Sequence, residues 1–243
     1  MRLAGLTDVG KVRANNEDCY AFLSLAADAS LAIVCDGMGG IEGGEIASSI
    51  AVETIQKKVE IAFSPKMKPA AMERMLIAAI TAANYQIFDY ALKHDLVGMG
   101  TTVVAAIIKD DCYIIAYDGD SRAYLLNDSI RQITSDHTYL NELYRMGKIT
   151  LEEMQTDPRK NIITRALGVS EEIDVDTLID DFGTGDTLLL CSDGLTNCLS
   201  DAQILEIFQT QQFETIPQVL IDKANENGGT DNITAALIQY GEA

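Results

Sequence analysis

The sequence predicts an α+β fold in one domain, and three observations carry that expectation. Short runs of β-forming apolar residues recur along the 243-residue chain, two long stretches repeat apolar residues at helical spacing, and no linker separates them. The β-type runs lie at 31–35, 101–108, 112–117, 122–126, 187–191 and 233–240. Residues 111–126 read as strand, Gly-Asp turn and strand, and Asp128-Ser129 begins another tight turn. Such short connections pair neighbouring strands antiparallel, because a parallel pair needs a long crossover.

The helical stretches follow the same logic of period. Residues 45–60 set Ile46, Ile50, Ala51 and Ile55 along one face, and 70–92 continues a longer pattern of that kind. Further helices are expected at 201–210, with Ser200 as a cap, and at 216–226. Residues 138–168 are more polar and mixed, with a break at Gly147, a turn signal at Asp157-Pro158 and a weak helical pattern over 139–146. They are expected to form an appended flap. The four prolines are scattered and no repeat or low-complexity tract occurs, so residues 1–243 are expected to be a single catalytic domain carrying the flap at about 138–168.

Charge narrows the partners. With 37 acidic and 18 basic residues the formal net charge is -19, which opposes following a nucleic-acid backbone or an anionic membrane surface and favours divalent cations or cationic protein segments. Most of these carboxylates read as solubilising surface. Cys19, Cys35, Cys112, Cys191 and Cys198 are odd in number, contain no C-x-x-C pair and fall largely in apolar runs, as buried thiols of a reducing compartment do. Residues 1–10 hold no apolar signal core, and no apolar run approaches the roughly 20 residues that cross a bilayer. A cytoplasmic, soluble protein is expected, and the absence of a recognisable apolar surface stripe favours a monomer.

Four aspartates sit beside glycine or at the mouths of apolar runs: Asp36 before Gly37-Met38-Gly39-Gly40, Asp120 in Gly119-Asp120-Ser121-Arg122, Asp193 before Gly194, and Asp231 in Gly229-Thr230-Asp231-Asn232. Any one Asp-Gly reads as a turn. Their repetition points elsewhere, because a carboxylate ending a buried strand is costly to desolvate unless paired or metal-bound, and few Lys or Arg stand nearby in sequence. A shared divalent cation would relieve both burial and mutual repulsion. Spacing alone leaves open whether the four converge. Only His94 and His137 are present and the cysteines form no cluster, so all-oxygen ligation of Mg²⁺ or Mn²⁺ is favoured over zinc. The string from Asp118 to Arg122 lacks the closing glutamate of a calcium loop, and no C-x5-R signature marks a cysteine nucleophile.

Taken in order, Gly5-Leu6-Thr7-Asp8-Val9-Gly10, Arg13-Ala14-Asn15-Asn16-Glu17-Asp18, Asp36-Gly37-Met38-Gly39-Gly40, Gly100-Thr101-Thr102, Gly119-Asp120-Ser121-Arg122, Ser135-Asp136-His137, Arg165-Ala166-Leu167-Gly168, Ser192-Asp193-Gly194-Leu195 and Gly229-Thr230-Asp231-Asn232-Ile233-Thr234 closely resemble the type 2C metal-dependent protein phosphatases, especially the compact bacterial members. The resemblance covers nearly the whole chain. It implies a four-layer αββα sandwich with two central antiparallel sheets, and a protein Ser/Thr phosphatase that hydrolyses phosphoserine and phosphothreonine by attack of a water bridging two Mn²⁺ or Mg²⁺ ions. By motif, Asp36 bridges both ions, Gly37 offers its carbonyl, Asp193 and Asp231 complete one ion's ligands, and Glu17 and Asp18 act at the other directly or through waters. Asp120 with Asp193 matches a weaker third site. Arg13 matches the arginine that grips the substrate phosphate, a task suited to its planar fork of donors. The partners implied are phosphorylated proteins, including targets of a cognate Ser/Thr kinase.

The chain departs from its relatives where some carry a histidine as proposed general acid: those positions are Met38 and Ile41 here. His137, near a helix start, remains a candidate, though a lone histidine there is more often structural. Two other readings share the fold: a catalytically silent regulatory or binding module, which should have lost metal carboxylates that this chain keeps, and a phosphatase of a small phosphorylated molecule.

Overall fold

Successive side chains of a strand point to opposite faces, so strands that are apolar on both faces must be covered on both. That is the case for the central strands here. The computed structural model describes residues 1–240, apart from the side chains of residues 40–42 and 155. In chain order the elements are β1 (Arg2–Asp8), β2 (Asp18–Ala26), β3 (Ala29–Met38), α1 (Gly40–Ala62), α2 (Pro69–His94), β4 (Gly100–Thr101), β5 (Val103–Lys109), β6 (Cys112–Asp118), β7 (Arg122–Leu126), β8 (Ile130–Gln132), α3 (Tyr139–Arg145), α4 (Leu151–Thr156), β9 (Asp176–Asp181), β10 (Thr187–Cys191), α5 (Asp193–Thr196), α6 (Asp201–Thr210), α7 (Ile216–Glu226) and β11 (Ile233–Gln239).

One sheet runs β1-β11-β10-β7-β8 and the other β2-β3-β5-β6-β9, with β4 paired to the end of β3. Every assigned strand pair is antiparallel. On β3, Leu31, Ile33 and Cys35 face α1 and α2, meeting Ile55, Leu76 and Ile80. Ala32 and Val34 face the other way, into a layer between the sheets with Val104, Ile115, Leu188, Leu190 and Ile238. Beyond the second sheet, Leu189 and Leu237 pack against Ile204 of α6 and Leu220 and Ile221 of α7. The order is helices, sheet, sheet, helices: the αββα sandwich.

Antiparallel alternation brings the ends of β3, β6 and β10 and the starts of β2, β7 and β11 to one edge. The register states it directly, with Asp18 opposite Asp36, Val103 opposite Asp118, and Cys191 opposite both Arg122 and Ala235. Loops leaving that edge carry the acidic motifs.

Several elements differ from expectation. Helix α1 begins at Gly40, five residues before the predicted start and within a glycine-rich run. Glycine is needed there for close approach: a Cβ on Gly44 would lie 2.7 Å from the Glu17 carboxyl. The predicted strand 101–108 is broken at Thr102, whose backbone N–H turns to the Asp36 carbonyl, 2.8 Å away. Strands β1 and β2 were not expected; β1 is half exposed and holds Gly5, where a Cβ would meet the Tyr20 ring at 2.7 Å. Within 138–168 lie α3 and α4. The second was missed although Thr150 and Glu153 form a capping box, a signal visible in sequence. Residues 241–243 fall outside the described part.

Candidate metal centre

The edge loops enclose an open basin of about 610 Å³. Its wall includes Arg13 and Glu17 from the β1–β2 loop, Asp36 and Gly37 at the end of β3, Asp120 from the β6–β7 turn, Asp193 at the start of α5, and Asp231 just before β11. Seven of the eight residues singled out by sequence therefore share one cavity. The eighth, Asp18, lies behind it, buried between the sheets. Its Oδ2 accepts hydrogen bonds from Ser192 Oγ and Thr234 Oγ1, both at 2.6 Å, while its Oδ1 is buried with no partner.

Crowding of like charges sets the electrostatics. Burial is the main force raising the Asp18 carboxyl to about 7, with Asp193 and Asp231 adding to it against the two hydroxyl donors. Burial and the carboxylate of Asp193 push Asp120 to about 8. Asp193 rises to about 6 through burial and Asp231. Asp36 is pushed well above the ordinary range by burial and by its Asp18, Asp193, Asp120 and Asp231 neighbours. Among the described residues Arg13 is the one cation on the basin wall, and its Nη2 donates to Asp231 Oδ2 at 2.8 Å.

Neutral side chains fix the frame. Asp36 is clamped by threonines: its N–H donates to Thr102 Oγ1 at 3.0 Å, and its carbonyl accepts from the Thr102 N–H and Thr101 Oγ1, both at 2.8 Å. Thr102 Oγ1 also pairs with Ser121 Oγ at 2.7 Å, tying the Asp36 loop to the Asp120 turn. Asn232 organises the Arg13 loop, donating from Nδ2 to the carbonyls of Val9 and Asn15 at 2.9 Å and accepting the Glu17 N–H on Oδ1 at 2.8 Å. Asn197 donates to Asp193 Oδ2 at 2.9 Å. In the sequence Thr102 and Asn232 are marked only by lying in the motifs that carry the resemblance, and the fold shows what they bind.

A hard cation fits this donor set. The wall offers carboxylates and a glycine carbonyl, all oxygen, together with an orphaned buried carboxylate oxygen on Asp18 and a charge deficit that one arginine does not cancel. Among the described residues no three His, Cys, Asp or Glu side chains already stand close enough to hold an ion by themselves. Asp231 is drawn to Arg13 and Asp193 to Asn197, so an ion must pull them inward or reach them through water.

His137 does not face the basin. Its Nδ1 accepts the Gly119 N–H at 3.1 Å, its Nε2 lies 3.3 Å from Asp176 Oδ2, and its ring stacks on Tyr117 with centroids 5.2 Å apart. Met38 does line the basin, and the side chain of Ile41 lies outside the described residues. From 138–168, Asn161 and Ile163 complete the rim, and a second cavity of about 270 Å³ shares Asp120, Asn161 and Asp193 with the first.

An αββα sandwich with an acidic, all-oxygen basin at one edge of both sheets has the architecture of the metal-dependent protein phosphatases. A family model described as protein phosphatase 2C matches residues 11–233. The serine/threonine phosphatase stp of Listeria innocua is 43% identical over 236 residues, covering 96% of this chain and 93% of that protein. The solved structure of the S. agalactiae serine/threonine phosphatase superposes with a TM-score of 0.92 at 36% identity, covering 99% of each chain. The catalytic domain of the serine threonine protein phosphatase PstP, solved in complex with 2 manganese ions, superposes with a TM-score of 0.82 at 35% identity, covering 97% of this chain and 96% of that one. The chain belongs to the protein phosphatase 2C family.

Proposed function

We propose that this basin hydrolyses phosphoserine and phosphothreonine monoesters of proteins with Mn²⁺ or Mg²⁺ as cofactor. The observation that carries the reading is the meeting of Asp36, Asp120, Asp193 and Asp231 around one open cavity with Arg13 at its rim. The manganese in the related PstP domain supports the choice of ion.

Asp36 and the Gly37 carbonyl would serve two ions, Asp193 and Asp231 one of them, and Glu17 and Asp18 the other, Asp18 from behind through water. Asp120 and Asp193 border both cavities and suit a weaker third ion. Ions of this class supply a strongly acidified water and stabilise charge developing on phosphoryl oxygens. Arg13 spends one donor on Asp231, which holds the guanidinium at the rim with its remaining donors free for the equatorial oxygens of the phosphate. Among the described residues no histidine lines the basin, so no imidazole is at hand for the leaving alkoxide, and either water or no dedicated acid serves it in this proposal.

Residues 138–168, whose Asn161 and Ile163 overhang the basin, are read as a flap that selects the phosphoprotein segment. The family and its relatives make phosphorylated proteins the substrates; targets of a cognate Ser/Thr kinase are the proposed set. No helix among the described residues is long and apolar enough to cross a membrane, and a monomer acting in the cytoplasm is proposed.

The test is phosphate release from a phosphothreonine peptide with no metal, Mn²⁺, Mg²⁺ or Ca²⁺. Release that requires Mn²⁺ or Mg²⁺ is expected. Turnover of p-nitrophenyl phosphate but not the peptide would favour a small-molecule phosphatase, and silence under every condition a regulatory module.

A further inference from the structure

Outside the basin, a cavity of about 230 Å³ opens between the C-terminal turn of α2 and the segment following 138–168, lined by Phe88, Leu92, Leu96, Val97, Gly98 and Val169 among others. Its mouth is unusually apolar for a surface this charged: Val97 is 93% exposed and Leu92 69% exposed. Leu92, Phe88 and exposed Tyr85 recur at helical spacing, so the apolar stripe continues along the outer face of α2, opposite the buried Ile80, Ala83 and Ile87. Drug-sized ligands use pockets from about 300 Å³ upward, and this one has room for a single large apolar side chain.

The charge lining the cavity is negative. Among the described residues Asp95 is the only charged one in the lining. Glu171 and Glu172 follow Val169 closely, and the Glu171 carbonyl is held against α2 by Asn84 Nδ2 at 3.0 Å. The nearest helix cation, Lys93, is committed to Asp89 at 2.6 Å. An acidic rim on a chain of net charge -19 repels acidic partners and attracts basic ones. We propose that this cavity is a docking site for a basic segment of a partner protein, which seats one leucine or phenylalanine between α2 and Val169 with Lys or Arg residues against Asp95 and the following glutamates.

The cavity shares no lining residue with the basin but backs onto it at Gly39. A Cβ on Gly39 would lie 2.5 Å from the Gly98 carbonyl oxygen, so the cavity floor abuts the chain three residues after Asp36. The proposal stands independently of the phosphatase reading, because its test needs no turnover.

A short fluorescent peptide with one leucine and one phenylalanine between lysines is the probe, read by anisotropy at about 0.15 M salt, where surface attraction is screened. The expected result is saturable binding with a Kd of about 1–100 µM, weakened about tenfold or more both by Val97→Asp with Leu92→Asp and by serine at the two anchors of the peptide. Because both substituted positions are exposed, the variants should keep the parent's melting temperature, and Val97→Asp alone provides the check if the pair does not. Absence of saturable binding, equal binding of the serine peptide, or indifference to the substitutions overturns the proposal. So does a wild-type dimer in sedimentation that the variants dissolve, which would make a second copy of this chain the occupant.

Discussion

Asp18 shows how a single carboxylate can serve a charged site without lining it. Its Oδ2 is saturated by Ser192 and Thr234 while Oδ1 is left without a partner, and its acid form is favoured up to about 7. Asp193 and Asp120 share that behaviour at about 6 and about 8. An unfolded aspartate titrates near 4. From about pH 4 to 8 these three groups therefore hold more protons in the metal-free folded protein than in the unfolded chain, and the stability they contribute is fully present below the unfolded value and lost as pH rises through 6 to 8. The melting temperature of the metal-free protein is predicted to fall between about pH 5 and 8.5, and saturating Mn²⁺ to remove most of that slope. Thermal melts in chelator and in Mn²⁺ across that range check it; a metal-free protein that grows more stable toward pH 8.5 contradicts it.

Helix α1 meets the site through a surface with no room for side chains. Gly44 approaches the Glu17 carboxyl so closely that an added Cβ would sit 2.7 Å from it, whereas one on neighbouring Gly43 would rest 3.4 Å from Met99 Cβ. Gly44→Ala is predicted to displace Glu17 and press on the Gly37 backbone, 2.8 Å from the added Cβ, raising the Mn²⁺ concentration needed for half-maximal turnover by about tenfold or more, the scale of losing a group that orients a ligand. Gly43→Ala is the control and should match the parent, since alanine also suits a helix better than glycine. Metal titrations of turnover with both variants decide it, and equal behaviour would remove α1 from the account of the site. This element also marks the limit of what sequence discloses. Period and turn chemistry disclosed the central strands and the long helices, because those depend on burial repeated along the chain. The first turn of α1 and strand β1 were hidden behind glycines placed for tertiary approach, and β2 was hidden because it carries no glycine or turn signal inside and is only part-buried along most of its length. At the site, the aspartates were legible from their glycine-flanked motifs, but the clamp of Thr102 on Asp36 and the bridging by Asn232 depend on partners up to 223 residues away.

At the scale of the whole molecule, antiparallel pairing does what no local motif can. It returns strand ends to one edge in both sheets, so carboxylates from residues 17 to 231 share a basin while their strands bury Val34, Val104, Leu190 and Ile238 between the sheets. The sandwich supplies rigidity and the edge collects charge; the cost of gathering that charge is what makes a divalent cation the natural completion of the fold. Calorimetric titration of the metal-free protein with Mn²⁺ tests that completion most directly, beside a variant carrying Asp193→Ala and Asp231→Ala. The prediction is at least two bound ions with proton release for the parent and loss of the tighter binding in the variant; unchanged Mn²⁺ binding in the variant would contradict the assignment of this basin as the metal centre.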